Sequence, residues 1–195
     1  MARVARLIVS EFVSVDGVME APGGEKGFAH SGWVFQFGMD PDQMAYKLDE
    51  IRSAEALLLG RVTYEGFAAA WPGRADEAGF AAKMNAMPKY VVSRRDTVLT
   101  WENSSLLTGD PVAAVTELKA KLAGPLLVAG SRTLVHTLHR HDLIDEYRLM
   151  VFPIVLGSGR RLFPDDAPGP SRLRLADSTT FGSGVAVHTY VPDRQ

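Results

Sequence analysis

Short apolar runs bounded by glycine, proline and charge alternate along this chain with longer stretches of mixed apolar and polar residues. Arg3 to Ser10, Ala56 to Leu59, Lys89 to Ser93, Leu126 to Ala129 and Glu146 to Val151 have the length and composition of buried strands. Helical patterns lie between them. Asp40-Pro41 and Asp110-Pro111 each set an acidic cap before a proline at the first helical position, predicting helices that run to about Ser53 and Leu122. Thr63 to Ala70 and Asp76 to Ala86 read as short helices split by Trp71-Pro72-Gly73, and Arg132 to about Arg140 as another. Leu173 to Phe181 and Val185 to Val191, joined across Gly182-Ser183-Gly184, predict an antiparallel hairpin. A long glycine-bearing stretch follows the first strand as far as Gly38, and a loop of that length in a compact domain is usually functional or mobile.

Strands that alternate with helices predict an α/β fold, with a mostly parallel mixed sheet covered on both faces and the C-terminal hairpin at its edge. With 195 residues, 46% of them hydrophobic, residues 1–195 are expected to form a single domain. A formal net charge of −2 argues against a broad basic face, so no nucleic-acid partner is expected. The absence of cysteine removes disulfides and thiolate metal sites, and cytoplasmic location is the plain expectation. No segment approaches ~18 consecutive apolar residues, so no membrane span is expected, and the N-terminal residues lack the apolar core of a signal peptide.

Chemistry is suggested first by Gly60-Arg61-Val62-Thr63-Tyr64-Glu65, which follows the apolar run Ala56-Leu57-Leu58-Leu59. A helix start offers unpaired backbone N–H groups and a partial positive charge, which favour an anion. Thr63 as an N-cap beside a solvated Arg61 is the plainer alternative. Pro125-Leu126-Leu127-Val128-Ala129-Gly130-Ser131-Arg132-Thr133-Leu134 repeats the arrangement, with small residues that let a ligand approach the backbone. Two such turns at strand ends of an open sheet point to one extended anion, and a dinucleotide fits that span.

These segments carry a family resemblance. The hexapeptide Gly60 to Glu65 resembles the Gly-Arg-x-Thr-aromatic-Glu motif of dihydrofolate reductase, and Val128-Ala129-Gly130-Ser131-Arg132 stands where that fold has its glycine triplet. Ser14-Val15-Asp16-Gly17-Val18 resembles the Ser-x-Asp-Gly opening of the reductase domain of riboflavin biosynthesis. Pro153-Ile154-Val155-Leu156-Gly157-Ser158-Gly159 resembles the late Pro-x-x-x-Gly segment of that domain. In order, these pieces extend from about Val4 to Tyr190. The resemblance implies the three-layer dihydrofolate reductase-like fold, NADPH as cofactor and a homodimer.

It also implies a cofactor set. Arg61 and Arg94 are the candidates for a ribose 2′-phosphate, with Ser93 in the same region, although Arg94 and Arg95 also read as solvated charges at a strand end. Gly130, Ser131, Arg132, Thr133 and Leu134 are expected to meet the diphosphate through backbone N–H groups and the Ser131 and Thr133 hydroxyls, with Gly60 and Thr63 opposite. Ser131 is equally a helix cap.

Met44 falls where dihydrofolate reductases carry a carboxylate on the helix before the motif strand, and a thioether donates no proton. Asp40, one turn earlier, reads mainly as a cap. Val128 falls where the riboflavin-type reductases often have glutamate. Asp16 is then the remaining carboxylate for substrate contact or proton delivery, or else part of an Asp-Gly turn. Glu20 and Trp33 share its loop as pocket candidates, Trp33 as a stacking wall. His136, His139 and His141 have no cysteine or carboxylate to complete a ligand set, so no metal is expected. The sequence therefore reads as an NADPH-dependent reductase of a small heterocyclic or carbonyl molecule, with a non-catalytic NADP(H)-binding sensor as the alternative.

Overall fold

The computed structural model describes residues 4–38, 40–76, 78–163 and 169–194. Among these described residues, eight strands form one sheet: β1 (Leu7–Ser14), β2 (Ala56–Gly60), β3 (Lys89–Val92), β4 (Ser104–Leu107), β5 (Leu126–Val128), β6 (Glu146–Phe152), β7 (Leu173–Thr180) and β8 (Ala186–Pro192). Their order is β4-β3-β2-β5-β1-β6-β8-β7. Pairing is parallel from β4 through β6, and antiparallel from β6 to β8 and from β8 to β7. The helices of the described residues are α1 (Pro41–Ser53), α2 (Arg61–Ala70), α3 (Phe80–Ala86), α4 (Pro111–Lys121) and α5 (Arg132–Arg140), with a 3₁₀ helix at Trp33–Phe37.

Side-chain alternation divides the interior into layers, because successive residues of a strand face opposite sides of the sheet. Leu7, Val9 and Val13 of β1 pack with Val115 and Leu118 of α4 and with Leu134, Val135 and Leu138 of α5. Ile8, Leu57 and Leu59 pack on the other face with Ile51 of α1, Tyr64 of α2 and Met84 of α3. Leu57, Leu58 and Leu59 are all buried, and each contributes roughly 2 kcal/mol of transfer free energy. Beneath the antiparallel end, Trp33, Met150, Phe152, Val185 and Val187 make a third cluster.

The fold is the expected α/β arrangement with its C-terminal hairpin, and four local readings change. β1 runs to Ser14 rather than stopping at Ser10, because its second half pairs with β6. Helix α2 begins at Arg61, with Gly60 rather than Thr63 at the cap position. Helix α3 begins at Phe80, with Gly79 at the cap position, and the Asp76 carboxylate accepts hydrogen bonds from the Phe80 and Ala81 amides. Strand β4 has no counterpart among the predicted elements: half its residues are serine, and among the described residues it pairs only with β3. Arg3 and Glu77, included in predicted elements, lie outside the described residues.

One feature of the register positions the site. Leu7 to Val9 pair with Leu126 to Val128 of β5, whereas pairing with β6 continues from Ile8 to Ser14. Among the described residues no strand lies along the β5 side of β1 from Ser10 onward, so the parallel sheet opens at its carboxyl end.

Candidate functional site

Strands β2 and β5 are parallel neighbours, and this brings the turns that leave them together. The Gly60 amide donates to the Gly130 carbonyl at 3.2 Å. Gly60 has an ordinary backbone, with φ −74°. It is required for space, because a Cβ there would lie 2.2 Å from Ser131 Oγ and 2.9 Å from Ser131 Cβ. Gly130 is required twice over: its φ is +91°, and a Cβ would lie 2.8 Å from Thr63 Oγ1. Each turn thus occupies the volume that a side chain on the other would need. The Gly130–Ser131 peptide is cis.

The helix starts differ in a way that points to an anion. Asp40 accepts from the Asp42 and Gln43 amides, Asp76 from the Phe80 and Ala81 amides that open α3, and Asp110 from the Ala113 amide. Helices α2 and α5 begin with no side-chain cap. Helix geometry leaves the first amides of both without intrahelical acceptors, and the positive ends of two helix dipoles lie at adjoining turns. Among the described residues no capping side chain takes the first-turn amides of either helix, so the site offers N–H groups and partial positive charge.

The predicted cofactor side chains are distributed unevenly around this edge. Ser131 Oγ and Thr133 Oγ1 lie 3.0 Å apart at the mouth of α5. Arg61 is held by Glu65 through contacts of 2.6 and 2.9 Å, so a phosphate there would share or displace Glu65. Arg94 is exposed on the turn after β3. Ser93 spends its hydroxyl within its own turn, on Arg95 and Thr97. Arg132 sends its Nε to the Arg161 carbonyl, and Leu134 is buried in the core, so only their amides can serve the turn. The Gly130 amide faces the Glu11 carboxyl, whose charged form it favours.

The loop after β1 and the late segment form one unit. Val15 N donates to Ile154 O, Met19 N to Arg160 O and Leu162 N to Gly17 O. Asp16 ties them together by accepting from Ser14 Oγ at 2.6 Å, Leu156 N at 3.1 Å and Gly157 N at 2.9 Å. The Ser14 hydroxyl, followed by those amides, holds the Asp16 carboxyl down at about 2. Asp16 is thus ionised at neutral pH and acts as a clamp, which removes it as a proton donor. Glu20 accepts from Arg160 N and pairs with its guanidinium. Trp33 is completely buried and donates Nε1 to the Glu20 carbonyl, so it is core rather than a stacking wall. Met44 is 43% exposed on the first turns of α1. Asp40 caps α1 and also accepts from Ser183 N. His139 contacts the Tyr147 and Ser171 hydroxyls, and His136 the Leu162 carbonyl.

Glu11 is the group that sequence reasoning missed. It stands in the middle of β1 at 8% exposure, and Oε1 has no hydrogen-bond partner among the described residues. Burial pushes its carboxyl up to about 8 against the opposing pull of the Gly130 amide and Lys47. The only signal in the sequence is a glutamate inside the apolar run Leu7-Ile8-Val9-Ser10-Glu11-Phe12-Val13.

The family model of the RibD C-terminal domain matches residues 5–187, from just before β1 into β8. The chain belongs to the RibD C-terminal domain family. Among its relatives, the YyaP protein of Bacillus subtilis (strain 168) is 29% identical over 189 residues, covering 95% of this chain and 94% of YyaP. A pyrimidine reductase-like protein from Corynebacterium diphtheriae has a similar structure, with a TM-score of 0.69 at 14% identity over 98% of this chain and 93% of that one. Dihydrofolate reductase from Enterococcus faecalis, solved with NADP(H), gives a TM-score of 0.58 at 14% identity over 96% of both chains. The RibD-type fold explains why the two turns adjoin: both follow parallel strands at the sheet's carboxyl end, where open α/β sheets bind ligands.

Proposed function

We propose that this RibD-type domain is an NADPH-dependent reductase of a small heterocyclic or carbonyl compound. The observation that carries the reading is the pair of uncapped helix starts, α2 and α5, interlocked through Gly60 and Gly130. The amides of Arg61 to Thr63 and of Ser131 to Leu134, with the Ser131 and Thr133 hydroxyls, would hold the diphosphate. Arg61 and Arg94 would meet the 2′-phosphate. Bound NADPH would supply the hydride, and the chain would supply orientation and a partly dry opening beside β1. The similarity to a pyrimidine reductase-like protein and to a reductase solved with NADP(H) supports this class of chemistry.

A second reading, a non-catalytic NADP(H)-binding sensor, is favoured by two observations: Asp16 is ionised and fully engaged, and Met44 stands at the expected helix-carboxylate position. Stopped-flow oxidation of NADPH against pteridine, flavin-precursor and quinone panels separates the two. Turnover of any one substrate establishes the reductase, whereas tight NADPH binding with no oxidation across the panels favours the sensor.

A further inference from the structure

Register places Glu11 beside the site and behind it. Val9 pairs with Val128, the last residue of β5, so Glu11, two residues further along β1, stands where the chain turns away through Ala129 and Gly130. Its carboxyl faces the Gly130 amide, which favours the charged form, while Oε1 is buried and unpartnered among the described residues. Opposite it on β6 is Leu149, an apolar neighbour. From α1 the nearby charges are Lys47 and Glu50, and the Lys47 ammonium is already bonded to Glu50 and to Ser10 Oγ. A carboxylate so placed would be buried with one amide and no bonded cation, which is costly, so the group keeps its proton at neutral pH.

We propose that Glu11 is a positioning residue for the dinucleotide site: protonated, it holds the Gly130 amide and sets the β5–α5 turn, and deprotonated, it puts a negative charge behind that turn and weakens dinucleotide binding. The proposal rests on the NADP(H) reading of the site. Binding an anion in front of the turn then requires the neutral form, so affinity follows the fraction of protein with Glu11 protonated. With the carboxyl titrating at about 8, that fraction falls to roughly one part in ten by pH 9, and the apparent Kd rises about tenfold. The dinucleotide's phosphate esters are fully ionised above about pH 7 and add no slope of their own. Lys89 loses its proton in the same range, but it stands at the start of β3, the opposite end of the sheet from the turns.

The test is calorimetric titration of NADPH at pH 7 and pH 9 into wild type and Glu11→Gln, whose amide oxygen can still accept from Gly130. Wild type is expected to lose about tenfold in affinity between the two, and Glu11→Gln less than about twofold. Flat wild-type affinity, or the same loss in Glu11→Gln, overturns the role of Glu11, and the latter would point to Lys89. No NADPH binding by wild type at pH 7 removes the function proposed above and this inference with it; binding that is flat with pH removes this inference alone. The free protein supplies a second measurement independent of any variant. In [13C]glutamate-labelled wild type, one carboxyl resonance is expected to titrate near the midpoint of the affinity loss. No such resonance, or a midpoint that does not coincide, overturns the proposal even where Glu11→Gln fails to fold.

Discussion

Replacing Gly60 by alanine tests the interlock of the two turns. The backbone at Gly60 suits any residue, with φ −74°, so the substitution carries no conformational penalty. By restricting the unfolded chain it would by itself stabilise by about 0.4–1 kcal/mol. Against this, the new methyl would lie 2.2 Å from Ser131 Oγ and 2.9 Å from Ser131 Cβ. Rotation of the hydroxyl relieves the first contact, but the second is fixed by the backbone, so the turns must separate. Overpacking of this kind costs about 1–3 kcal/mol, leaving a net loss of about 1–2 kcal/mol. For a chain of this size that is a fall in Tm of about 2–8 °C. The assay is urea unfolding at pH 7 of wild type, Gly60→Ala, Ser131→Gly and the double variant. Ser131→Gly removes the two closest atoms and leaves only the Ser131 N at 3.2 Å, so Gly60→Ala is expected to become close to neutral in that background, with a coupling energy of about 1–3 kcal/mol. Ser131→Ala keeps the Cβ and is expected to rescue only partly. A Gly60→Ala penalty that is absent, or equal in both backgrounds, would refute the interlock.

Further outcomes follow from the same geometry. Arg61→Ala is expected to weaken NADPH binding about tenfold or more while leaving NADH binding nearly unchanged, from the loss of a charge-assisted contact to the 2′-phosphate; equal effects on the two nucleotides in parallel titrations would place the 2′-phosphate elsewhere. Asp16→Asn sets an amide group against the Leu156 and Gly157 N–H groups and is expected to cost about 1–3 kcal/mol in urea melts at pH 7. Because the Asp16 carboxyl is held down at about 2 in the folded state, its stabilisation is present above the unfolded-state value near 4 and fades as pH falls below it, so wild type and Asp16→Asn should converge in acid. Glu11 gives the opposite slope: its carboxyl is raised from 4.5 to about 8, so the stability of wild type relative to Glu11→Gln is expected to fall between these values and level off above.

Local sequence signals located most elements and both turns. Asp40-Pro41 and Asp110-Pro111 carry their helix starts in two residues, and the structure forms both caps as read. The glycines of the turns were legible for the same reason, since close approach leaves no room for another residue type. Long-range packing was not legible. Whether Trp33 lines a pocket or fills the core depends on Met150, Phe152 and Val185, more than a hundred residues away in sequence. Asp16 reads as a loop carboxylate until the amides of Leu156 and Gly157 reach it. Glu11 was passed over because a charged residue in an apolar run reads as the end of a strand, whereas a buried carboxyl that keeps its proton fits inside one.

A crystal structure of the protein grown with NADPH tests the central claim most directly. Diphosphate oxygens are expected within about 2.7–3.2 Å of first-turn amides of both α2 and α5. A diphosphate resting on one of these helices alone, or bound elsewhere on the molecule, would contradict the account.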